Sequence, residues 1–394
     1  MSNLQAGQRY HGIDALRAFA MILGIFLHAT IVYKEKALPV WPHDTYSHSP
    51  VFDYFYFLIH TFRMPLFFMV AGFFCRFLIY KVGVAEFIRR RWQRIGIPFL
   101  GSLIFILPVT VFPFLYHQNS AVYGADRLMN LKASFKQLFG WNGIAHLWFL
   151  YYLLLYYIVA VVYVRAASLP VIRPVSTYLL KVVNNSKGYA ISLALIAIGG
   201  TWGILLLQGE LLVPVDTGLV PGFVNLLFYG FFMGLGWVIN TRSSVFDFMV
   251  KNAAWLLGAG LLISGFIFYQ DYHDCNPPSF RLSIVGIKLL LSAQIIFLVF
   301  GITGIFLHYF RDESRLWRYL SDAAYWMYLV HMGLVVFLQL ILLQFNIHSG
   351  IKFIAVFSVT LAFTILTYQF FVRYTRIGIY LHGPRHRKKG EKFL

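Results

Sequence analysis

The stretch DALRAFAMILGIFLHATIVY, residues 14–33, is long and apolar enough to form a helix that crosses a membrane. It nevertheless carries Asp14, Arg17 and His28. A charged group costs roughly 2.5–3.5 kcal/mol or more near the centre of a bilayer, so ionisable residues in a span mark functional sites by default. This helix therefore predicts both a membrane protein and a polar site inside it.

The composition of the whole chain agrees with a membrane protein. Of its 394 residues, 59% are hydrophobic and only 12% are charged. At this hydrophobicity only helices satisfy their own backbone groups, so we predict an all-α polytopic membrane protein. The net charge of +18 does not indicate a nucleic-acid partner, because the Lys and Arg residues lie mostly in the loops between apolar stretches.

Hydropathy and charge predict about ten transmembrane helices with both termini in the cytoplasm. The connections on the predicted cytoplasmic side hold 22 of the 33 Lys and Arg residues, and those on the other side hold six. Residues 1–380 form one predicted membrane domain, and the basic residues 381–394 form a predicted cytoplasmic tail on anionic lipid head groups. The predicted spans are 13–33, 51–80, 95–117, 146–165, 189–208, 219–239, 252–270, 282–308, 322–344 and 351–373.

The polar residues of the first span share one helix face. Arg17 and His28 are eleven residues apart, which is about three helical turns and roughly 16 Å along the axis. Asp14 lies three residues before Arg17 and is placed to neutralise it. We expect a buried ion pair near the cytoplasmic end of this helix and an imidazole near its outer end.

The second span adds a histidine and an arginine on one face, His60 and Arg63. If the first two spans pack antiparallel, His60 and His28 come to similar depth. We therefore predict a cationic tunnel wall with two titratable bases. Its candidate catalytic residues are Asp14, Arg17, His28, His60 and Arg63.

Other polar and aromatic residues are candidates for substrate binding, namely His146, Trp148, His331 and Trp141. Each also has a structural interpretation. A membrane histidine often just hydrogen-bonds a neighbouring helix, and tryptophans are common at the membrane interface. Lys288, inside the eighth span, is expected to extend its ammonium group to the interface.

The sequence lacks the motifs that several catalytic mechanisms require. No P-loop, GxSxG or HExxH motif and no convincing intramembrane carboxylate pair is present. We therefore expect no metal site, and a histidine base acting on a substrate hydroxyl is the chemistry that remains.

Five segments, in order and spacing, resemble the membrane acyltransferase-3 family. The first carries an Arg, ten residues and a His, here Arg17 and His28. The others resemble the second helix of that family, its basic loop, its HLWFL helix and a late helix with Tyr-Leu-x-His. The segments are IDALRAFAMILGIFLH (13–28), FRMPLFFMVAGFF (62–74), RRRWQRIGIPFL (89–100), AHLWFLYYLLLYY (145–157) and AAYWMYLVHMGLVVF (323–337).

The resemblance implies transfer of an acyl group from cytoplasmic acyl-CoA to a hydroxyl group of an acceptor outside. Details of the motifs are most similar to a subgroup that succinylates periplasmic glucans, which favours succinyl over acetyl and a saccharide acceptor. It implies a multi-pass protein of the inner membrane and no cofactor beyond the acyl-CoA donor substrate. His28 then acts as general base or as an acylated nucleophile. The alternative is a transporter or flippase for an acyl or saccharide compound.

Overall fold

A computed structural model describes residues 11–124, 126–167, 188–242, 244–272 and 282–383. In these ranges the regular secondary structure is entirely helical, so the all-α prediction is confirmed. The α-helices are α1 His11–Thr30, α2 Pro50–Val82, α3 Val84–Arg91, α4 Ile97–Phe105, α5 Leu107–Tyr123, α6 Arg127–Phe139, α7 Trp148–Ala167, α8 Tyr189–Leu205, α9 Phe223–Ile239, α10 Ser244–Lys251, α11 Ala253–Tyr272, α12 Ile284–Tyr309, α13 Arg315–Leu342, α14 Ser349–Thr367 and α15 Arg376–His382.

Each of the ten predicted spans overlaps helical structure. In the described part of the chain, eight helices or continuous helical segments are long and apolar enough to cross a membrane. The other two predicted spans fall on the shorter apolar helix α8 and on α9, which meets the criterion only together with α10. The multi-pass architecture is therefore confirmed, whereas the count of ten and the cytoplasmic location of both termini stay predictions.

The third span is longer than the sequence indicated. Instead of one helix over 95–117, the chain is helical from Val84 to Tyr123, with a π-helical turn at Trp92–Gly96 between α3 and α4. A π turn inserts an extra residue into the helical ladder and is frequent at functional sites. The predicted tail begins within α15, and residues 384–394 lie outside the described ranges.

Helix α1 lies at the centre of the bundle and packs against α2, α12, α13 and α14. Its buried face is rich in small residues, including Ala15, Ala18 and Ala20, which lets neighbouring backbones approach closely. Gly24 on this helix is in contact with the guanidinium group of Arg63, and a Cβ atom there would collide with Nη1. Helix α1 is thus surrounded by the rest of the protein.

Helix α2, which carries His60 and Arg63, is held by very close contact with α9. A Cβ atom at Gly72 would collide with the carbonyl oxygen of Met233, and one at Gly236 with the carbonyl oxygen of Met69. Only glycine permits this approach of two backbones, and the close approach gains dispersion contacts that substitute for a hydrophobic driving force in lipid. This contact with α9 fixes the position of α2 and therefore of Arg63.

The loop of residues 34–49 is tied to the start of α14 by buried polar contacts. Lys352 Nζ lies 2.6 Å from Asp44 Oδ2, and the two side chains are 0% and 1% exposed. Ser349 N donates to Ser47 Oγ at 2.9 Å, and Asp44 N donates to the Val32 carbonyl at 2.9 Å. We call Asp44, Ser47, Ser349 and Lys352 the loop anchor. It determines where the intervening residues, including Trp41, lie.

Lys288 bonds to the end of a neighbouring helix, and the extension of its ammonium group to the membrane interface stays a prediction. The residue is 3% exposed, and its Nζ donates to the carbonyl oxygen of Leu205 at 3.0 Å. Leu205 is the last residue of α8, where backbone carbonyl groups lack helical partners. The ammonium group finds acceptors at this helix end instead of in water.

Candidate active site

One cavity of about 1340 Å³ runs through the helical bundle. The nine residues predicted as catalytic or substrate-binding all contribute to its wall, although they come from distant parts of the sequence. They are Asp14, Arg17, His28, His60, Arg63, Trp141, His146, Trp148 and His331. Their location is therefore established, while their individual roles stay predictions.

The cavity has two chemically different ends. The basic end is lined by Arg17, Lys81, Arg91 and Arg94. The loop end is lined by Lys36, Trp41, Trp141, Glu210 and Asp271. From Arg17 to the end of the following 3₁₀ turn the chain rises roughly 25 Å, which is close to the thickness of the hydrocarbon core of a bilayer. The cavity thus extends along most of a membrane-spanning helix.

His28 occupies a middle position on this path and is partly exposed to the cavity. The Trp41 ring lies parallel to its imidazole, with centroids 6.0 Å apart and planes 2° apart. Gln339 Nε2 donates to the carbonyl oxygen of His28 at 3.0 Å, which fixes the backbone at this point. The Nδ1 atom is buried and, in the described structure, lacks a hydrogen-bond partner.

The second imidazole beside His28 belongs to His331, not to His60. The rings of His28 and His331 have centroids 5.3 Å apart. His60 instead stacks on Tyr56, with centroids 5.2 Å apart, and donates through Nε2 to the Val213 carbonyl at 3.3 Å. His28 and His60 both line the cavity, and their similar depth stays a prediction. The contact of α1 with α13 adds His331 directly beside His28.

His146 lies next to His331 and is held by two contacts with α13. Its Nε2 donates to the Leu329 carbonyl at 3.0 Å, and its own carbonyl accepts from the Tyr328 hydroxyl at 2.6 Å. The interpretation of His146 as a histidine that hydrogen-bonds a neighbouring helix is therefore correct for Nε2. Its Nδ1 is buried with no partner in the described ranges. One nitrogen holds the ring, and the other is buried beside His331.

Arg63 is half-buried in the cavity wall, and its Nε atom is buried without a hydrogen-bond partner among the described residues. Because burying an unpaired cation is costly, such a group is suited to bind an anion that enters the cavity. A planar guanidinium can hold a carboxylate or a developing oxyanion through two parallel hydrogen bonds. Arg63 therefore has the properties of an anion-binding residue.

The contact between Asp14 and Arg17 exists, with Arg17 Nη1 3.4 Å from Asp14 Oδ1. Burial of the pair, however, was expected and is incomplete. The Arg17 side chain is 42% exposed and that of Asp14 is 14% exposed. The reason is that this end of α1 opens into the basic end of the cavity. Arg17 thus keeps part of its charge available to a ligand.

The two predicted tryptophans have different environments. Trp148 is 7% exposed and packs against Tyr229, with ring centroids 5.1 Å apart, as a core aromatic residue does. Trp141 is 39% exposed at the loop end, so its ring is open to a ligand there. At the same end burial lowers the pKa of the Lys34 ammonium group, and Asp53, 3.7 Å away, opposes that shift.

Two residues that contact the site were not among the predicted ones. Trp41 belongs to the outer loop, and only the fold shows that it stacks on His28. Tyr328 lies three residues before His331, so helical spacing put both on one face of α13. That spacing could have predicted Tyr328 as a site residue, whereas nothing in the sequence indicated the position of Trp41.

The described residues contain no group of three or more His, Cys, Asp or Glu side chains arranged to hold a metal ion.

Comparison with known proteins identifies the class of this site. A family model described as an acyltransferase domain matches residues 10–369. The match covers α1 through most of the last membrane segment, including every residue placed on the cavity wall up to His331. The chain therefore belongs to the membrane acyltransferase-3 family, and the resemblance of its five segments to that family is confirmed.

Relatives named Glucans biosynthesis protein C match over most of their length. The protein from Escherichia coli O6:K15:H31 is 23% identical over 395 residues, covering 98% of this chain and 97% of the relative. The protein from Salmonella paratyphi B is 23% identical over 349 residues, covering 86% of this chain and 85% of the relative. No solved structure matches the chain significantly.

Proposed function

We propose that this acyltransferase moves an acyl group across the membrane, from cytoplasmic acyl-CoA to a hydroxyl of a periplasmic glucan or another saccharide. The observation that carries the proposal is the single cavity that joins a basic end to an aromatic loop end past His28. A donor and an acceptor that approach from opposite faces meet only if such a path exists. The names of the relatives support a glucan as acceptor, and the inner membrane is the proposed location.

The basic end suits the CoA moiety of the donor. Arg17, Arg91 and Arg94 present guanidinium groups where the cavity opens at this end, and guanidinium groups bind phosphates bidentately. The thioester then extends toward His28. The positive-inside rule also explains why arginines such as Arg91 and Arg94 occur on the cytoplasmic side of the membrane. That explanation is compatible with a role in binding CoA.

His28 is the proposed general base. Its imidazole accepts the proton of the acceptor hydroxyl while that oxygen attacks the thioester carbonyl carbon. Arg63 stabilises the oxyanion, or binds the free carboxylate of a succinyl donor, because its side chain lines the cavity in which either group lies. His60 is the less suitable oxyanion donor, because its Nε2 already donates to Val213. Collapse of the intermediate expels CoA thiolate, which recovers the proton from His28.

The test uses purified protein in liposomes, with succinyl-CoA or acetyl-CoA at the face that carries the basic loops and a glucan at the other. Release of free CoA thiol is followed for the wild type, for His28→Ala and for the control His308→Ala. His308 is exposed on α12 and does not line the cavity. We expect acceptor-dependent thiol release that is lost only in His28→Ala, and the better donor identifies the acyl group.

The same experiment separates transfer from transport. If no donor thioester is cleaved while the glucan still crosses the membrane, the protein is a transporter and the proposal is wrong. If His28→Ala stays folded and keeps near-full activity, His28 is neither base nor nucleophile. Covalent trapping distinguishes those two roles, because only a nucleophile carries the acyl group when the acceptor is omitted.

A further inference from the structure

His331 has a defined tautomer. Its Nδ1 lies 3.0 Å from the Met327 carbonyl and 2.8 Å from the Tyr328 carbonyl. A carbonyl oxygen only accepts hydrogen bonds, so Nδ1 must carry the hydrogen and donate. In the neutral ring Nε2 then holds a lone pair. This atom is buried and has no partner in the described structure, on a residue that is 2% exposed.

Two other imidazoles lie next to His331, and only one can donate to that lone pair. His146, with its centroid 5.9 Å away, uses Nε2–H for the Leu329 carbonyl. Its Nδ1 is therefore also a lone pair, which cannot hydrogen-bond to another. His28, with its centroid 5.3 Å away, also has a buried Nδ1 without a partner, and that atom is free to carry a hydrogen.

We propose that His331 is a positioning residue that accepts a hydrogen bond from Nδ1–H of His28. This inference rests on the proposed function, in which His28 is the base. With Nδ1 protonated, Nε2 of His28 is the nitrogen with a lone pair, and it belongs to the part of the ring that is exposed to the cavity. The contact forms as the rings close from their present separation, since catalytic hydrogen bonds often tighten only with substrate bound.

The proton balance of the reaction is complete without a transfer to His331. The acceptor hydroxyl gives its proton to Nε2 of His28, and the resulting imidazolium keeps its Nδ1–H bonded to His331. The C–O bond of the ester forms and the C–S bond breaks. The proton then passes from Nε2 to the CoA sulfur. His331 holds the ring and stabilises the imidazolium, as the third residue of a nucleophile–base–orienting group does.

Two amide substitutions at position 331 separate this role from a structural one. In His331→Gln the side-chain carbonyl oxygen reaches the place of Nε2, which keeps the acceptor for His28 and loses the donor to Met327 and Tyr328. In His331→Asn the amide nitrogen stays near those carbonyl groups, while the acceptor for His28 is lost. The pair therefore tests each nitrogen separately.

We expect His331→Asn to lower kcat for acyl transfer about a hundredfold with an unchanged KM for the donor, since loss of acid–base function typically costs about 10²–10⁴ in rate. His331→Gln should stay within about tenfold of the wild type. Thermal unfolding of both variants in detergent monitors folding. If His331→Asn is as active as His331→Gln or more active, His331 only binds the carbonyl groups of α13 and the inference is overturned.

A readout that does not need activity is the ¹⁵N NMR spectrum of histidine-labelled protein, with the His28 signals assigned by their loss in His28→Ala. The inference requires the Nδ1–H tautomer of His28 in the wild type and in His331→Gln, and loss of that preference in His331→Asn. An Nε2–H tautomer of His28 in the wild type overturns it. If the tautomer is as required but no donor is cleaved, the proposed function fails and the positioning contact stands.

Discussion

At the loop anchor the Lys352 ammonium group lies 2.6 Å from the Asp44 carboxylate, whereas in the wall of the cavity the Nε of Arg63 has no partner within the described ranges. Both are cations in largely apolar surroundings. The charge of Lys352 is paired with a carboxylate of the protein. The Nε of Arg63, in the described part of the chain, has no such partner. A buried charge with a purely structural role is normally paired with an opposite charge, because a buried unpaired charge is costly. We therefore expect the unpaired charge of Arg63 to bind a ligand.

Breaking the loop anchor should have the largest effect on stability. Lys352→Met leaves the Asp44 carboxylate buried and unpaired, and loss of one partner of such a pair costs about 3–5 kcal/mol. The melting temperature in detergent should fall strongly. The double variant Lys352→Met/Asp44→Asn should recover most of that loss. An unchanged melting temperature in the single variant would mean that the ion pair contributes nothing.

Removing the charge of Arg63 should have the opposite effect, a loss of activity without a loss of stability. Arg63→Met should lower kcat/KM by about 10²–10³, as loss of one oxyanion-stabilising donor does, while the melting temperature stays equal or rises because a desolvated charge is gone. Arg76→Met is the matched control, since Arg76 lies on the same helix, hydrogen-bonds Asn240 at 2.9 Å and does not line the cavity. A large loss of stability in Arg63→Met would contradict the comparison.

Arg17 represents an intermediate case, a charge that is partly paired and partly open to the cavity. Arg17→Gln should raise the donor KM roughly tenfold, because hydrogen bonds to charged groups contribute about 1.5–3 kcal/mol. Its stability should change by less than about 1 kcal/mol, since ion pairs with an exposed partner are weak. Steady-state kinetics with varied donor, beside the exposed control Arg315→Gln, checks both expectations. An unaltered donor KM would remove Arg17 from the donor site.

The smallest effect is expected from the stacked ring over His28. Trp41→Leu removes an aromatic contact of about 0.5–1.5 kcal/mol, which corresponds to a roughly two- to tenfold lower kcat/KM. Trp255→Leu, on a residue that is 63% exposed, should have no effect on transfer. Measurement of kcat/KM for the wild type and both variants side by side, with the same donor, checks this ratio. A loss beyond a hundredfold would assign Trp41 a more direct role than stacking.

The sequence was sufficient for most of the membrane helices and for nine residues of the cavity wall. Apolar length alone positioned the segments, and the cost of polar groups in lipid singled out Arg17, His28 and Arg63. It was not sufficient for the neighbours of each side chain. His331, on a helix distant in sequence, lies directly beside His28, because adjacency in sequence does not decide which helices surround α1. The acceptors of Lys288 at the end of α8 were likewise not evident from the sequence.

The contact between α1 and α13 also has a consequence for how the protein is made. The ribosome delivers His28 with the first helix and His331 only after most of the chain has been synthesised. Until α13 inserts, His28 has neither its neighbouring imidazole nor the Gln339 contact to its backbone. The cavity that runs along α1 is enclosed at the same late stage. A chain that ends before α13 therefore lacks the imidazole beside His28 and the part of the cavity wall that α13 contributes.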